Sequence, residues 1–400
     1  MPTIAPPDGA SILMVIDSVY PSTGGGGAEN QLRTLAKSLK QRGFDVEIWA
    51  PLVKEARGMA QHDLVDGIVV HRLYYPQVRL LGGVWLLVAI GLRLLAHGKR
   101  FDIIHAHIAG KLAATCSLLG WVLHKPVLVK LTGLTEMVGG ILDPHPPLSA
   151  RLQRRLLKFT SLFQAISSRI AMGLVDVGYS PAQVMQLPNA VDIRRFRPVT
   201  IDSGAAARLY GHKTLVGIFT GRLRPDKNID LLIRSWARCF ADRNDTALII
   251  VGHGTLEAVL REQALQLGVA NQVLFVGPSD QVEKYYALAH FGILTSQMEG
   301  LSNTLLEFMA CGLPVIGTRV SGNEDFITDG QTGWLFDVGH TTDFEACLHR
   351  MSACAPEERA LMGQAARRRV VETASLDVVL DRLIDSYHTL GAPVQGLDTT

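Results

Sequence analysis

The sequence predicts an α/β protein built as two doubly wound domains. Three observations carry this. Short apolar runs rich in β-branched residues recur through both halves, such as ILMVID (12–17) and ALIIVGHG (247–254). Helical patterns stand between them, so the strands should lie parallel with both faces covered. Finally, 400 residues exceed one ordinary core and suit two.

In the first half the expected strands are 12–17, 46–50, 67–73, 103–107, 127–132, 163–167 and 184–188. In the second they are 215–221, 247–254, 273–277, 291–296, 314–318 and 333–336. Leu32, Leu35, Ala36 and Leu39 recur at helical spacing, and Gly43 is a natural stop after them. The boundary is expected within 188–211, where Pro188 and Pro198 precede the small-residue stretch Asp202-Ser-Gly-Ala-Ala-Ala. The domains then run 1–195 and 196–375, with a C-terminal helix in 376–400 as a candidate for packing back on the first domain. In such folds ligands sit beyond the carboxyl ends of the strands. Two domains facing each other would therefore leave a central cleft.

Composition bounds the function. At 48% hydrophobic and 19% charged, the chain can bury a sizeable core. A net charge of +2 gives no global field for nucleic acid. The five cysteines are scattered, with no C-x-x-C, which argues against a disulfide framework or zinc site and for a reducing, cytoplasmic compartment. The N-terminus MPTIAPPDGA has no signal-peptide pattern. The run Leu80–Leu92 is too short to span a bilayer and reads as a buried helix. Arg151, Arg154, Arg155 and Lys158 form a basic helical stripe beside Leu148, Leu152, Leu156 and Phe159. Its plain reading is a solvated face over a packed one. Its functional reading is peripheral contact with anionic headgroups at the inner face of a membrane.

The motif richest in chemistry is EGLSNTLLE, from Glu299 to Glu307. It follows a strand and runs into an apolar helix. Helix starts offer unpaired N–H groups and a partial positive charge, which suit a phosphate, while a carboxylate on each side suits sugar hydroxyls. GRLRPDKN (221–228) also follows a strand and supplies Arg222 and Lys227, a candidate anion clamp. PSTGGGGAE (21–29), with Gly26 and Gly27 leading into a helix, allows close backbone approach to an anion, although the run fails G-x-G-x-x-G. VGHGTLE (251–257) places Gly252 in a turn suited to a base or ribose. His105 and His107 share one face at a strand end, and His107 is expected to line the cleft. No third ligand stands near them, and no metal site is expected.

Together these residues resemble the retaining GT-B glycosyltransferases of glycosyltransferase family 4, from about Ser11 to Leu390. The most specific part is E-x7-E at Glu299–Glu307. GGAE (26–29), His107, AISSRI (165–170), PNAVD (188–192), GRL…K (221–227), VGHG (251–254) and FVG (275–277) support it in order and spacing. Ala190 and His253 depart from the usual PNGVD and VGDG. The resemblance implies a nucleotide-sugar donor, a UDP-sugar being the expected one, with no cofactor or metal. Gly26 and Gly27 would approach the diphosphate, and Arg222 and Lys227 would neutralise it. Glu299 would bond the transferred sugar. Backbone N–H groups from Gly300 through Leu301, Ser302, Asn303 and Thr304 would meet the distal phosphate, and Glu307 would hold the ribose. His107 would lie near the donor sugar and the acceptor, a glycan or lipid-linked glycan of surface polysaccharide biosynthesis. Two other classes compete. A dinucleotide-dependent oxidoreductase requires the G-x-G-x-x-G that is missing. A non-catalytic nucleotide-sugar-binding protein predicts a lost glutamate or cation, yet Glu299, Glu307, Arg222 and Lys227 are all present.

Overall fold

The computed structural model describes residues 9–21, 26–52, 58–76, 78, 81–200 and 203–391. The chain divides into two compact units: residues 1–190 with 379–400, and residues 191–378.

The first unit runs β1 (Ser11–Ile16), α1 (Gly27–Gln41), β2 (Asp45–Pro51), β3 (His62–Val65), β4 (Ile68–Leu73), α2 (Leu81–His97), β5 (Ile103–His107), α3 (Lys111–Leu123), β6 (Val127–Lys130), α4 (Leu134–Met137), α5 (Leu148–Leu156), β7 (Leu162–Ala165), α6 (Ser168–Asp176) and β8 (Val184–Gln186). Its sheet order is β3-β4-β2-β1-β5-β6-β7-β8. All pairs are parallel except β3 with β4. The second unit runs α7 (Ser203–Tyr210), β9 (Leu215–Thr220), α8 (Ile229–Phe240), β10 (Thr246–Val251), α9 (Glu257–Gln266), β11 (Val273–Gly277), α10 (Glu283–Tyr286), β12 (Phe291–Leu294), α11 (Asn303–Ala310), β13 (Val315–Thr318), α12 (Ser321–Phe326), β14 (Gly333–Phe336), α13 (Thr341–Ala353) and α14 (Pro356–Thr373). Its sheet is parallel throughout, in the order β11-β10-β9-β12-β13-β14. Last comes α15 (Leu376–Thr389), which leaves the second unit after 378 and completes the first. There Tyr387 is buried, 6.5 Å from Phe44.

The two-domain α/β prediction is borne out, and the physics is the expected one. The inner strands of both sheets are buried almost without interruption, as parallel strands covered on both faces must be. In both sheets the order reverses beside a central strand, β1 or β9, and the loops there reach the carboxyl ends of the strands.

Four details depart from the sequence reading. The stretch read as a linker forms helix α7 from Ser203, pinned where the Tyr210 hydroxyl donates to the Leu288 carbonyl (3.0 Å); Asp202 lies outside the described residues. The chain also makes an edge hairpin, β3–β4, through Asp66-Gly67, both at positive φ. Third, the apolar run from Leu80 is not a buried helix. Helix α2 exposes Val84, Trp85, Val88, Leu92 and Leu95, while Leu86, Ile90 and Leu94 face the core. The α5 stripe changes in kind as well. Leu148 and Leu152 are exposed, and Arg154 is half-buried with its guanidinium donating to the carbonyls of Ile141 and Asp143.

Candidate active site

The second unit assembles its site from the loops after β9 and β12. After β9 the chain turns through Gly221-Arg222-Leu223, makes a short 3-10 turn over Pro225–Lys227, and enters α8 through Asn228 at φ 53°. After β12 come Thr295 and Ser296, then Glu299 and the first turn of α11. The two loops are bonded to each other. Thr295 Oγ1 donates to the Lys227 carbonyl (2.8 Å), and the Gln297 amide donates to the Asp226 carbonyl (3.0 Å). Thr304 Oγ1 reaches the Thr220 carbonyl at 3.4 Å, tying α11 to the end of β9.

This frame brings Lys227 and Glu299, 72 residues apart in sequence, into an ion pair, with both side chains about four-fifths buried. Ser296 Oγ donates to the same carboxylate at 2.9 Å. Arg222 lies exposed in the same loop. Gly300, Leu301 and Ser302 are buried, with Asn303 and Thr304 half-buried behind them. A support the sequence reading missed holds this turn. Gly322 donates to the Gly300 carbonyl at 2.8 Å, and a side chain at 322 would come within 2.7 Å of that oxygen. The sequence signal was a glycine in the turn after the strand PVIGT.

Glu307 lies one turn into α11. The buried Tyr286 hydroxyl donates to its carboxylate at 2.7 Å, between rings of Phe196 and Phe308. Burial pushes the Glu307 carboxyl up to about 7, and the Tyr286 hydrogen bond offsets only part of that. The carboxyl is therefore partly protonated near neutral pH and can both donate and accept.

VGHG has a plainer explanation than a nucleotide turn. A side chain at Gly252 would strike the Gly221 carbonyl, and one at Gly254 the Leu223 carbonyl. The amide of Leu223 donates to the His253 carbonyl at 2.9 Å. The glycines let two backbones pack, and so fix the loop that carries Arg222 and Lys227. His253 itself is exposed.

In the first unit, Gly26 caps α1, and Gly27 is the first residue of that helix; Ser22 to Gly25 lie outside the described residues. A side chain at Gly26 would meet the Glu29 carboxylate, which accepts from Ser18 Oγ. The strand ends carry a second polar group. Register pairs His107 of β5 with Lys130 of β6, and Lys130 with Gln164 of β7, so the three side chains share one face. All three are buried. His105 lies one step below, stacked on His107 at 4.3 Å, and its Nδ1 meets the Tyr387 hydroxyl at 2.7 Å. Among the described residues, neither ring nitrogen of His107 nor Lys130 Nζ has a hydrogen-bond partner. Burial, then the neighbouring His105 and Lys130 charges, hold His107 neutral. Burial draws Lys130 down to about 7. The sequence reading missed Lys130, because a lysine ending an apolar strand reads as a solvated end. It also left Glu136 without a role. That buried carboxylate accepts from the amides of Ala109, Thr132 and Gly133 at 2.9–3.0 Å, and so joins the ends of β5 and β6.

One triad of possible metal ligands occurs among the described residues: Asp337, His340 and Asp343, all exposed. Arg319 pairs with Asp337 at 2.9 Å and His340 with Asp343 at 3.2 Å, which accounts for the cluster.

This order of loops and side chains matches two family descriptions. Residues 25–195 match Glycosyltransferase Family 4, and residues 208–369 match Glycosyl transferases group 1. The chain belongs to this glycosyltransferase family. The glycosyltransferase is 29% identical over 350 residues to the D-inositol 3-phosphate glycosyltransferase of Acidothermus cellulolyticus, covering 79% of this chain and 75% of that one. It is 25% identical over 378 residues to the N-acetyl-alpha-D-glucosaminyl L-malate synthase of Bacillus anthracis, covering 93% and 94%. Among solved structures it superposes on Anabaena HepE in complex with UDP with a TM-score of 0.75 at 20% identity, covering 95% of this chain and 100% of that one. That likeness establishes the GT-B fold.

Proposed function

We propose that the glycosyltransferase is a retaining, metal-independent enzyme that moves a sugar from a UDP-sugar to a glycan or lipid-linked glycan during surface polysaccharide biosynthesis. The observation that carries this is the Lys227–Glu299 pair, held with Ser296 against the first turn of α11. In the ligand-free protein the cation and the carboxylate neutralise each other. A diphosphate entering beside Arg222 competes for Lys227 and frees Glu299 to bond the hydroxyls of the transferred sugar. The first amides of α11 meet the distal phosphate, and Glu307 takes the ribose.

The difficult step is departure of the diphosphate from an oxocarbenium-like centre. Charge gathers on the leaving group, so fixed cations and helix amides aimed at it lower the barrier, by about 3–4 kcal/mol for a single donor. The acceptor attacks from the face the leaving group vacates, and the departing phosphate takes its proton. Glu299 and Glu307 have separate partners, Lys227 and Tyr286, which supports same-face attack over a double displacement through both carboxylates. On the first unit, Gly26 and Gly27 at the start of α1 allow close backbone approach to an anion, and the neutral His107 can bond a sugar hydroxyl. Lys130 beside it takes up a proton when an anion arrives. The acceptors named for the two relatives, an inositol phosphate and malate, are both anions. The basic side of α5 holds the protein peripherally at an anionic membrane surface.

The decisive experiment is a hydrolysis and thermal-shift screen of nucleotide sugars, with and without EDTA. We expect a UDP-sugar to raise Tm and to be turned over slowly, with no change on chelation. Stabilisation by NAD(P)H and by no nucleotide sugar would overturn the donor assignment, and loss of turnover in EDTA would overturn the metal-free mechanism.

A further inference from the structure

Helix α2 presents an unbroken apolar stripe to solvent. Val84, Trp85, Val88, Leu92 and Leu95 are each at least half exposed. At 100° per residue they fall within an arc of about 100°. A helix apolar on all sides is normally buried on all sides. This one buries only its inner half, and large contiguous apolar exposure marks an interaction surface.

Its surroundings identify the partner. Helix α2 packs on α3, and α3 packs on α5 and the 3-10 turn over 157–159 that follows it. None of these four segments contains an aspartate or glutamate, and Arg151, Arg155 and Lys158 lie exposed on them, whereas Arg93 faces Glu47, Lys111 faces Asp17 and the Arg154 guanidinium is bonded inside. The part of helix α15 that belongs to the same unit carries Asp381 and Asp385. The acid-free group also exposes Trp121 on α3, packed against Phe159 at 4.9 Å, and Leu148 and Leu152 on α5. At the amino ends of β6 and β7 a hollow of about 620 Å³ opens between Trp121, Phe159, Lys125 and Leu390. Exposed tryptophans, an apolar stripe and basic side chains without acids are what the interface of an anionic bilayer selects. No described helix is long and apolar enough to cross a membrane, so the contact is one of lying on the surface.

We infer that α2 is a membrane-insertion element: its Val84–Leu95 stripe enters the acyl boundary of an anionic bilayer while the basic side chains of α5 meet the headgroups. This deepens the peripheral contact proposed above. It assigns the apolar contribution to a helix that the sequence alone places in the core.

The test uses the full-length protein with vesicles of equal parts phosphatidylglycerol and phosphatidylcholine, and with phosphatidylcholine alone. We expect co-sedimentation with the anionic vesicles, together with a blue shift of tryptophan emission. Trp85→Ser/Leu92→Ser should lower partitioning at least about tenfold. Arg155→Gln/Lys158→Gln should lower it and flatten its salt dependence. Both pairs are exposed, so the variants should keep the wild-type Tm and its shift with UDP. Vesicle binding is read without sugar transfer, so failure of the donor assignment leaves this result interpretable. Three results would overturn the inference: no vesicle binding, binding that Trp85→Ser/Leu92→Ser leaves intact, or a concentration-dependent dimer that the same variant dissociates. The second outcome would leave the α5 charge contact standing by itself, and the third would make a second copy the occupant of the stripe.

Discussion

The polar groups of the two units are handled in opposite ways. In the second unit each key carboxylate has a partner: Lys227 and Ser296 on Glu299, and Tyr286 on Glu307. In the first, His107 and Lys130 are buried at the strand ends with no hydrogen-bond partner among the described residues. Paired groups are pre-organised, and a ligand must compete for them. Unpaired buried groups cost stability until water or a ligand satisfies them. The second unit therefore fixes its carboxylates by internal pairing, and the first holds a polar row at a folding cost that water or a ligand offsets. Groups kept against such a penalty tend to be functional.

The comparison breaks most sharply at Glu299. Glu299→Ala should lower kcat/KM roughly a thousandfold while UDP binding stays within a few fold; substantial remaining turnover would remove Glu299 from the chemistry. Next is Lys227→Ala, which should weaken UDP about 10- to 100-fold and uridine far less. Calorimetry on both ligands decides it, and equal losses would place Lys227 away from the phosphates.

The first unit is tested by Lys130→Met. Its folded pKa of about 7 lies below the ordinary lysine value of 10.5, so the charged unfolded form gains on the folded one as pH falls from 10.5 towards 7. The variant should therefore be more stable than wild type at pH 7, by a margin that narrows towards pH 10, yet lose about tenfold in kcat/KM. A variant both more stable and fully active would show that Lys130 is a packing residue. At Glu307 the sign is opposite. Burial raises the folded carboxyl to about 7 from the ordinary glutamate value of 4.5, so stability is lost as pH rises through that window. Glu307→Gln should match wild type at pH 4.5 and exceed it at pH 8 by about 3 kcal/mol. Thermal melts at the two pH values check this, and an equal margin at both would refute the shifted carboxyl.

Much of the fold was legible. Most strands in these sheets are apolar runs of four to seven residues between helical patterns, a local signal that survives any arrangement of neighbours. The β3 strand was overlooked although Asp66-Gly67 between apolar runs is a hairpin signal. HDLV lies exposed at the sheet edge, so burial wrote little into its composition. Small residues at 203–207 passed for a linker because alanine serves helix and loop alike. The run in α2 passed for core because hydropathy records what a residue dislikes, without recording whether the protein or something else removes it from water.

By itself the sequence determined most of the element order, the two largely parallel sheets, the loops that carry Arg222, Lys227 and Glu299 and the helix that carries Glu307, because period and punctuation are properties of neighbouring residues. Only the tertiary structure decided that Lys227 closes on Glu299 across 72 residues, that Lys130 is buried beside His107, and that α2 turns its tryptophan outward. Pairing, desolvation and exposure depend on what the fold places opposite each side chain, and that is set at long range.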